Sequence, residues 1–330
     1  MKREGIALAG NILTDNVKFV GSYPEKGMLA TITSESLAVG GSVPNSGIDL
    51  KRLDKNLRVC AFGKVGNDDK GKYVLNKLKE EGLETKGVKI SNTSPTSYSD
   101  VITITGTGER TFFHNRGANA EFCLNDINLD DIDTKMLHCG YLMLLDSFDK
   151  YENGTTQMAT LLKQAQEKGI KTSIDVVSES SGNFKKTVSA SLPYCDYVII
   201  NEVEAGQIAE INPRNEDDTL NDENVKNILK TIMAYGVKEK VIIHCPEKGF
   251  CLDKSGNFTA VPSRQLKKGF IKGSVGAGDA FCAGCLYAIY NGYEDEKMLA
   301  FSNLVAINCL SKADSISGVT SVDKLEDCLK

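Results

Sequence analysis

The chain has 330 residues, 41% hydrophobic and 25% charged, an ordinary globular composition with enough apolar material for a sizeable core. Lysine and arginine total 39 against 44 acidic residues, and a net charge of −5 lacks the basic excess expected of a nucleic-acid partner. No stretch reaches the ~18 consecutive apolar residues of a membrane span, and the apolar run Ile6–Ala9 is too short for a signal-peptide core, so a cytoplasmic protein is expected.

Short β-rich runs alternate with helical patterns along the chain. Ile6–Ala9 reads as a buried strand, Val43–Leu53 as a helix, Arg58–Phe62 as a strand and Lys70–Glu80 as a helix. Thr155–Lys168 (helix), Lys171–Asp175 and Tyr197–Ile200 (strands), Asn221–Tyr235 (helix) and Val241–His244 (strand) continue the alternation. Ala277–Tyr290 and Asp295–Ser311 close it with two helices. This order predicts an α/β fold, a mostly parallel sheet covered by helices on both faces. Ligands of such sheets sit at the carboxyl ends of the strands.

Two stretches break the rhythm. Val17–Ile32 and Ser97–Phe113 carry alternating β-type residues without helical period, the second with a hairpin around Gly106 and Gly108. They predict a small β layer, over about 12–35 and 96–117, projecting from one domain that spans 1–330. The layer reads either as a lid that excludes water from a reacting phosphate or as an edge extension or dimer contact.

The 10 cysteines, Cys60 to Cys328, are scattered and read as free thiols in a reducing compartment. Cys282 and Cys285 form a lone CxxC one helical turn apart, with no second pair to complete a zinc site. The three histidines (His114, His138, His244) show no HExxH spacing.

The most informative segment is Gly273-Ser274-Val275-Gly276-Ala277-Gly278-Asp279-Ala280-Phe281, opening into a helix of small and apolar residues. Unpaired amides at a helix N-terminus make an anion site suited to a transferred phosphoryl group. A P-loop would continue with Lys and Ser or Thr, but Asp279 and Ala280 follow; a dinucleotide fingerprint would need glycine where Phe281 stands. An acid beside an anion site suits a general base, so Asp279 reads as the acceptor of a hydroxyl proton, with Gly276, Ala277 and Gly278 holding the phosphoryl charge. The alternative is a helix-capping Asp.

Here the sequence resembles the ribokinase-like (PfkB) carbohydrate kinases, whose signature Asp-Thr-x-Gly-Ala-Gly-Asp is matched at Gly276-Ala277-Gly278-Asp279. The resemblance covers nearly the whole chain, with motifs in family order from Asp15 to Asn303. It implies a three-layer αβα sandwich with a β lid and phosphorylation of a small-molecule sugar by ATP with Mg²⁺. It also implies Asp279 as the catalytic base and a homodimer contact through the lid. Asp15, after Gly10-Asn11-Ile12-Leu13-Thr14, falls where the family binds sugar hydroxyls. Gly40, Gly41 and Asn45 match its paired glycines and helix Asn. Arg116-Gly117-Ala118-Asn119 resembles the segment returning from the lid, with Arg116 facing substrate or phosphate. Asn201-Glu202-Val203-Glu204 matches the Asn-x-x-Glu element of the magnesium–phosphate complex, which makes Glu204 the metal-linked carboxylate and Asn201 its nucleotide-side partner. His244-Cys245-Pro246-Glu247-Lys248-Gly249 stands for the nucleotide loop, of which Gly249 is kept, and Asn303 resembles a nucleotide-side Asn.

The departures are informative too. Gly273 replaces the first Asp of the signature, beside the family's monovalent-cation site, which leaves potassium activation open. Leu13 replaces a polar Asn and argues against ribose itself. A nucleoside kinase on the same scaffold, discriminated by aromatic residues such as Phe112, Phe113 or Tyr98, and a silent sugar or nucleotide sensor are the competing functions.

Overall fold

The computed structural model describes residues 3–178, 182–312 and 314–327. Its strands in chain order are β1 (Ile6–Gly10), β2 (Leu13–Val20), β3 (Ile32–Gly40), β4 (Val59–Gly66), β5 (Glu84–Ser91), β6 (Tyr98–Ile104), β7 (Arg110–Asn115), β8 (Met136–Leu142), β9 (Lys171–Val176), β10 (Tyr197–Asn201), β11 (Lys240–His244), β12 (Lys248–Asp253) and β13 (Phe258–Pro262). Nine of them form one sheet in the order β13-β12-β11-β10-β9-β8-β1-β4-β5. The pairs from β11 through to β5 are parallel, while β12 and β13 pair antiparallel.

Both faces of this sheet are buried, because alternate residues of one strand enter opposite core layers. Ile6 and Leu8 pack beneath the helices Ser42–Leu53, Asp69–Glu80, Ala277–Tyr290 and Asp295–Leu310. Ala7 and Ala9 pack beneath Gln157–Glu167, Glu202–Ala209 and Asp222–Ala234. The result is the expected three-layer αβα sandwich. From β1 the chain moves to β4 and β5 on one side, then returns to β8 and runs to β13 on the other. The order therefore reverses between β1 and β8, where a crevice opens at the strands' carboxyl ends. Gly10 and Gly140 are partners at that point.

A second sheet, β3-β2-β6-β7, rises from the same end. Its register sorts the side chains of its inner face into rows. Ala38, Asp15, Ser99 and His114 form the first row, Ser36, Val17, Val101 and Phe112 the second, and Phe19, Thr103 and Arg110 lie in the third. Polar groups therefore stand next to the crevice and apolar ones one step farther out.

Candidate active site

Asp279 lies in the first turn of the helix Ala277–Tyr290, which is buried from Asp279 to Ala288 because Ala280, Ala283 and Gly284 let neighbours approach on every side. The helix opens on Gly276, left-handed at φ 80°, a conformation free of penalty only for glycine. A Cβ there would lie 2.5 Å from the Ser315 Cβ and 2.7 Å from its backbone, so the turn and the Ser315 segment are pressed together.

The Asp279 carboxylate is buried and unevenly engaged. Its Oδ2 accepts hydrogen bonds from Asn45 Nδ2 at 2.9 Å and from the Tyr141 hydroxyl at 2.8 Å. Its Oδ1 is buried and accepts none among the described residues. Ser315 Oγ donates to Asn45 Oδ1 at 2.9 Å, which fixes the orientation of that amide. Burial pushes the pKa of Asp279 up to about 7; the Asn45 and Tyr141 donors pull it down, and the Asp15 charge adds to the rise.

Two cavities flank this turn. One, of about 240 Å³, lies under the small sheet and is lined by Asp15, Val17, Phe19, Val101, Arg110 and Phe112, with Val275, Asp314 and Ser315 on its far side. Burial pushes Asp15 up to about 6, opposed by the Ser99 hydroxyl and the Arg110 charge. A Cβ at Gly40 would collide with the Asp15 carboxylate, so glycine leaves that acid its place. Gly41 precedes the helix Ser42–Leu53 that carries Asn45.

The other cavity, of about 530 Å³, is lined by Asn201, His244, Ala277, Gly278, Phe281 and Asn303, with Pro246, Leu266, Ile271 and Ile307 giving it apolar walls. His244 packs on the Phe281 ring at 4.8 Å between centroids, and burial pushes its pKa down to about 4, leaving the ring neutral at neutral pH. Asn303 Nδ2 donates to the Val261 carbonyl at 3.2 Å. Gly249 lies behind this wall, where a Cβ would press on Leu299, Phe281 and Asn303 at 3.2 to 3.4 Å. A flat heterocycle fits the apolar part, and phosphates fit the helix N-terminus at Ala277 and Gly278.

Asn201 ends β10 and caps the next helix reciprocally with Glu204. Asn201 Oδ1 accepts from the Glu204 amide at 2.9 Å, and Glu204 Oε2 accepts from the Asn201 amide at 3.0 Å. Ser178 Oγ donates to Glu204 Oε1 at 3.0 Å. Asp175, near the end of β9, faces both Glu204 and Asp279, and burial together with this crowding of acids raises the pKa of Asp175. Burial also raises that of Glu204. A divalent cation held partly through water fits such a pair of carboxylates. Among the described residues no group of three or more His, Cys, Asp or Glu forms a ready metal cage.

Arg116 does not join these residues. It is held by the Met143 carbonyl at 3.0 Å and by Asp146 at 3.1 Å, and the arginine that lines the Asp15 cavity is Arg110. Alternation explains the exchange: Arg110 points inward from β7, whereas Arg116 stands past the strand, at the start of a short helix. The CxxC thiols point to separate partners, Cys282 to His138 at 3.6 Å and Cys285 to Ser302 at 3.2 Å. Nine cysteines are free thiols; Cys328 lies outside the described residues. Sequence reasoning missed Tyr141, Asp175, Arg110 and Ser315. Only Asp175 carried a usable signal, its place at the carboxyl end of a strand that the pattern does predict.

A profile of the pfkB family carbohydrate kinases matches residues 5–321. The chain is 24% identical to a ribokinase of Schizosaccharomyces pombe over 96% of both chains. It is 21% identical to a 5-dehydro-2-deoxygluconokinase of Clostridium beijerinckii over 88% of this chain and 84% of that one. Its fold superposes on an Arabidopsis thaliana ribokinase, solved with ribose and ATP, with a TM-score of 0.83 over 99% of each chain at 16% identity. Among the described residues no helix is long and apolar enough to cross a membrane. The chain belongs to the pfkB family of carbohydrate kinases and is a phosphotransferase.

Proposed function

We propose that this protein transfers the γ-phosphoryl group of ATP to a hydroxyl of a sugar, with Asp279 taking the hydroxyl's proton. The observation that carries the reading is the position of Asp279 Oδ1. It is a buried oxygen without a protein partner, on a turn that has an acid-lined cavity on one side and an apolar-walled cavity on the other. An incoming hydroxyl that reaches such an oxygen has no described protein donor to displace. A carboxyl brought to about 7 by burial is matched to proton abstraction near neutral pH.

In this mechanism the acceptor enters the smaller cavity, where Asp15, given its place by Gly40, accepts hydrogen bonds from its hydroxyls. The nucleotide enters the larger cavity beside His244 and Asn303, its phosphates reaching toward the amides of Ala277 and Gly278. Those amides lie at the positive end of the helix and stabilise the charge that develops during transfer. Bound Mg²⁺ supplies neutralisation of phosphate charge, and Glu204 and Asp175 are the residues that would hold it, through water. Buried free thiols suit a reducing compartment, and we place the enzyme in the cytoplasm.

The second row of the small sheet supports one other acceptor. Phe112 is 55% exposed and faces the cavity beside Val17 and Val101, an apolar surface on which the base of a nucleoside could lie. The deciding experiment is ADP release from ATP and Mg²⁺ with D-ribose, D-fructose, D-glucose and adenosine in turn, with Asp279→Asn as control. Sugar-dependent turnover that the variant lacks supports the reading, and turnover with adenosine alone promotes the nucleoside reading. Turnover with none of them, despite thermal stabilisation by the same compounds, favours a sensor.

A further inference from the structure

Asp279 works in unusually acidic company. Asp15 from β2 raises its pKa, and the Asp279 charge in turn raises those of Asp49 on the helix Ser42–Leu53 and of Asp175 on β9. The same charge raises the thiols of Cys282 on its own helix and Cys309 on the helix Asp295–Leu310. These acids compete for charge in one buried region, and Asp15 is the one that opposes a negative charge on Asp279. His244, on the nucleotide side, is neutral. What favours the charge is a pair of donors on one oxygen, Asn45 and Tyr141. Asn45 comes from a motif already read as a substrate contact. Tyr141 comes from no motif, and the backbone that presents it is strained.

That strain is local and specific. The β8–β9 register slips between Cys139 and Leu142; Tyr141 within the slip adopts φ 58°, and Met143, just past it, φ 79°. A left-handed conformation is unfavourable for a residue with a Cβ, and strand irregularities of this kind re-aim side chains next to active sites. Here the re-aimed hydroxyl meets Asp279 Oδ2 at 2.8 Å. Burial and the acids around it keep the phenol protonated, so it acts as a donor throughout the working pH range.

We propose that Tyr141 is a positioning residue for the base: by occupying Oδ2 together with Asn45, it holds the carboxylate charged and leaves Oδ1 as the oxygen that meets the acceptor hydroxyl. The proposal rests on the reading of Asp279 as the base. Its geometric content is the division of labour within one carboxylate, one oxygen tethered and the other free. A tyrosine serving only as packing at the end of β8 would need its ring and not its hydroxyl.

The test is the pH dependence of kcat/KM for ADP release by Tyr141→Phe and by wild type, with the acceptor that the panel identifies. Loss of a donor to a charged acceptor raises that acceptor's pKa, so the acid limb moves to higher pH by ~1 unit, and activity falls ~10-fold at pH 6 while converging at high pH. Site-specific 3-fluorotyrosine at 141, a stronger donor of nearly the same shape, moves the limb the other way and keeps the test open if Tyr141→Phe folds poorly. An unmoved limb in both, or a loss of activity uniform across pH, overturns the proposal. Wild-type turnover in Asp279→Asn overturns instead the reading of Asp279 beneath it.

Discussion

Replacing Asp279 by Asn removes a proton acceptor and little else, and the hydrogen bonds show why. The amide oxygen of Asn can take the place of Oδ2 and still accept from Asn45 and Tyr141. The amide nitrogen then takes the place of Oδ1 and can only donate toward the acceptor hydroxyl. Loss of a general base lowers kcat by ~10²–10⁴, a barrier increase of about 3–5 kcal/mol. Folding stability moves the opposite way. The carboxyl rises from its ordinary 3.8 to about 7 on folding, so stability is fully present below pH 3.8 and is lost as pH rises toward 7. At 1.36 kcal/mol per pH unit the loss is of order 4 kcal/mol above pH 7. Asp279→Asn escapes that loss, and its melting temperature should exceed that of wild type at pH 8 by more than at pH 5. Steady-state ADP release at saturating ATP, Mg²⁺ and acceptor measures the first effect; thermal unfolding at the two pH values measures the second. Wild-type turnover would refute the base assignment, and equal stability differences at both pH values would refute the electrostatic reasoning.

Glu204→Gln keeps both the cap to Asn201 and the contact with Ser178 but loses a charge, so the Mg²⁺ concentration for half-maximal rate should rise about tenfold; an unchanged titration sinks the metal role. Asp49 is buried with neither carboxylate oxygen partnered among the described residues, and burial holds its pKa well above 3.8. Wild type therefore loses stability from this site as pH rises above 3.8, and Asp49→Asn should melt higher by a margin that widens with pH, whereas parallel melting curves would count against it. Gly276→Ala forces a left-handed residue worth ~1–2 kcal/mol of strain and drives a Cβ into Ser315, whose hydroxyl orients Asn45. Both melting temperature and kcat should fall; retention of wild-type kcat would show that the turn tolerates the change.

The central strands were legible because β1, β4, β10 and β11 begin as or contain short apolar runs, and the helices Asp69–Glu80, Gln157–Glu167 and Asp222–Ala234 because their buried residues recur with helical period. Strand β8 was not, since His138 and Gly140 interrupt its pattern. In the fold that buried His bonds to Ser173 at 2.9 Å, and Gly140 is pressed against Ser42. With β8 unread, Tyr141 had no place in a site. Strand β5 escaped notice because Glu84, Lys86 and Lys89 give it the charged character of a sheet edge. The segment read as a nucleotide loop at 244–249 is the turn between β11 and β12, so only its first residues reach the larger cavity. Asp49 gave no signal at all, for an acid in a helix reads as solvent-facing until tertiary packing encloses it.

The hydrogen bonds that orient the base join four segments far apart in the chain: Asn45, Tyr141, Asp279 and Ser315. Asn45 and Ser315 are separated by 270 positions. Contacts of such sequence separation carry a large loop-closure cost in folding. The Asp279 carboxylate is oriented only once all of these segments have come together. On the reading proposed above, catalytic competence depends on contacts that no single local segment can make, so damage to any of the four stretches reaches the same carboxylate.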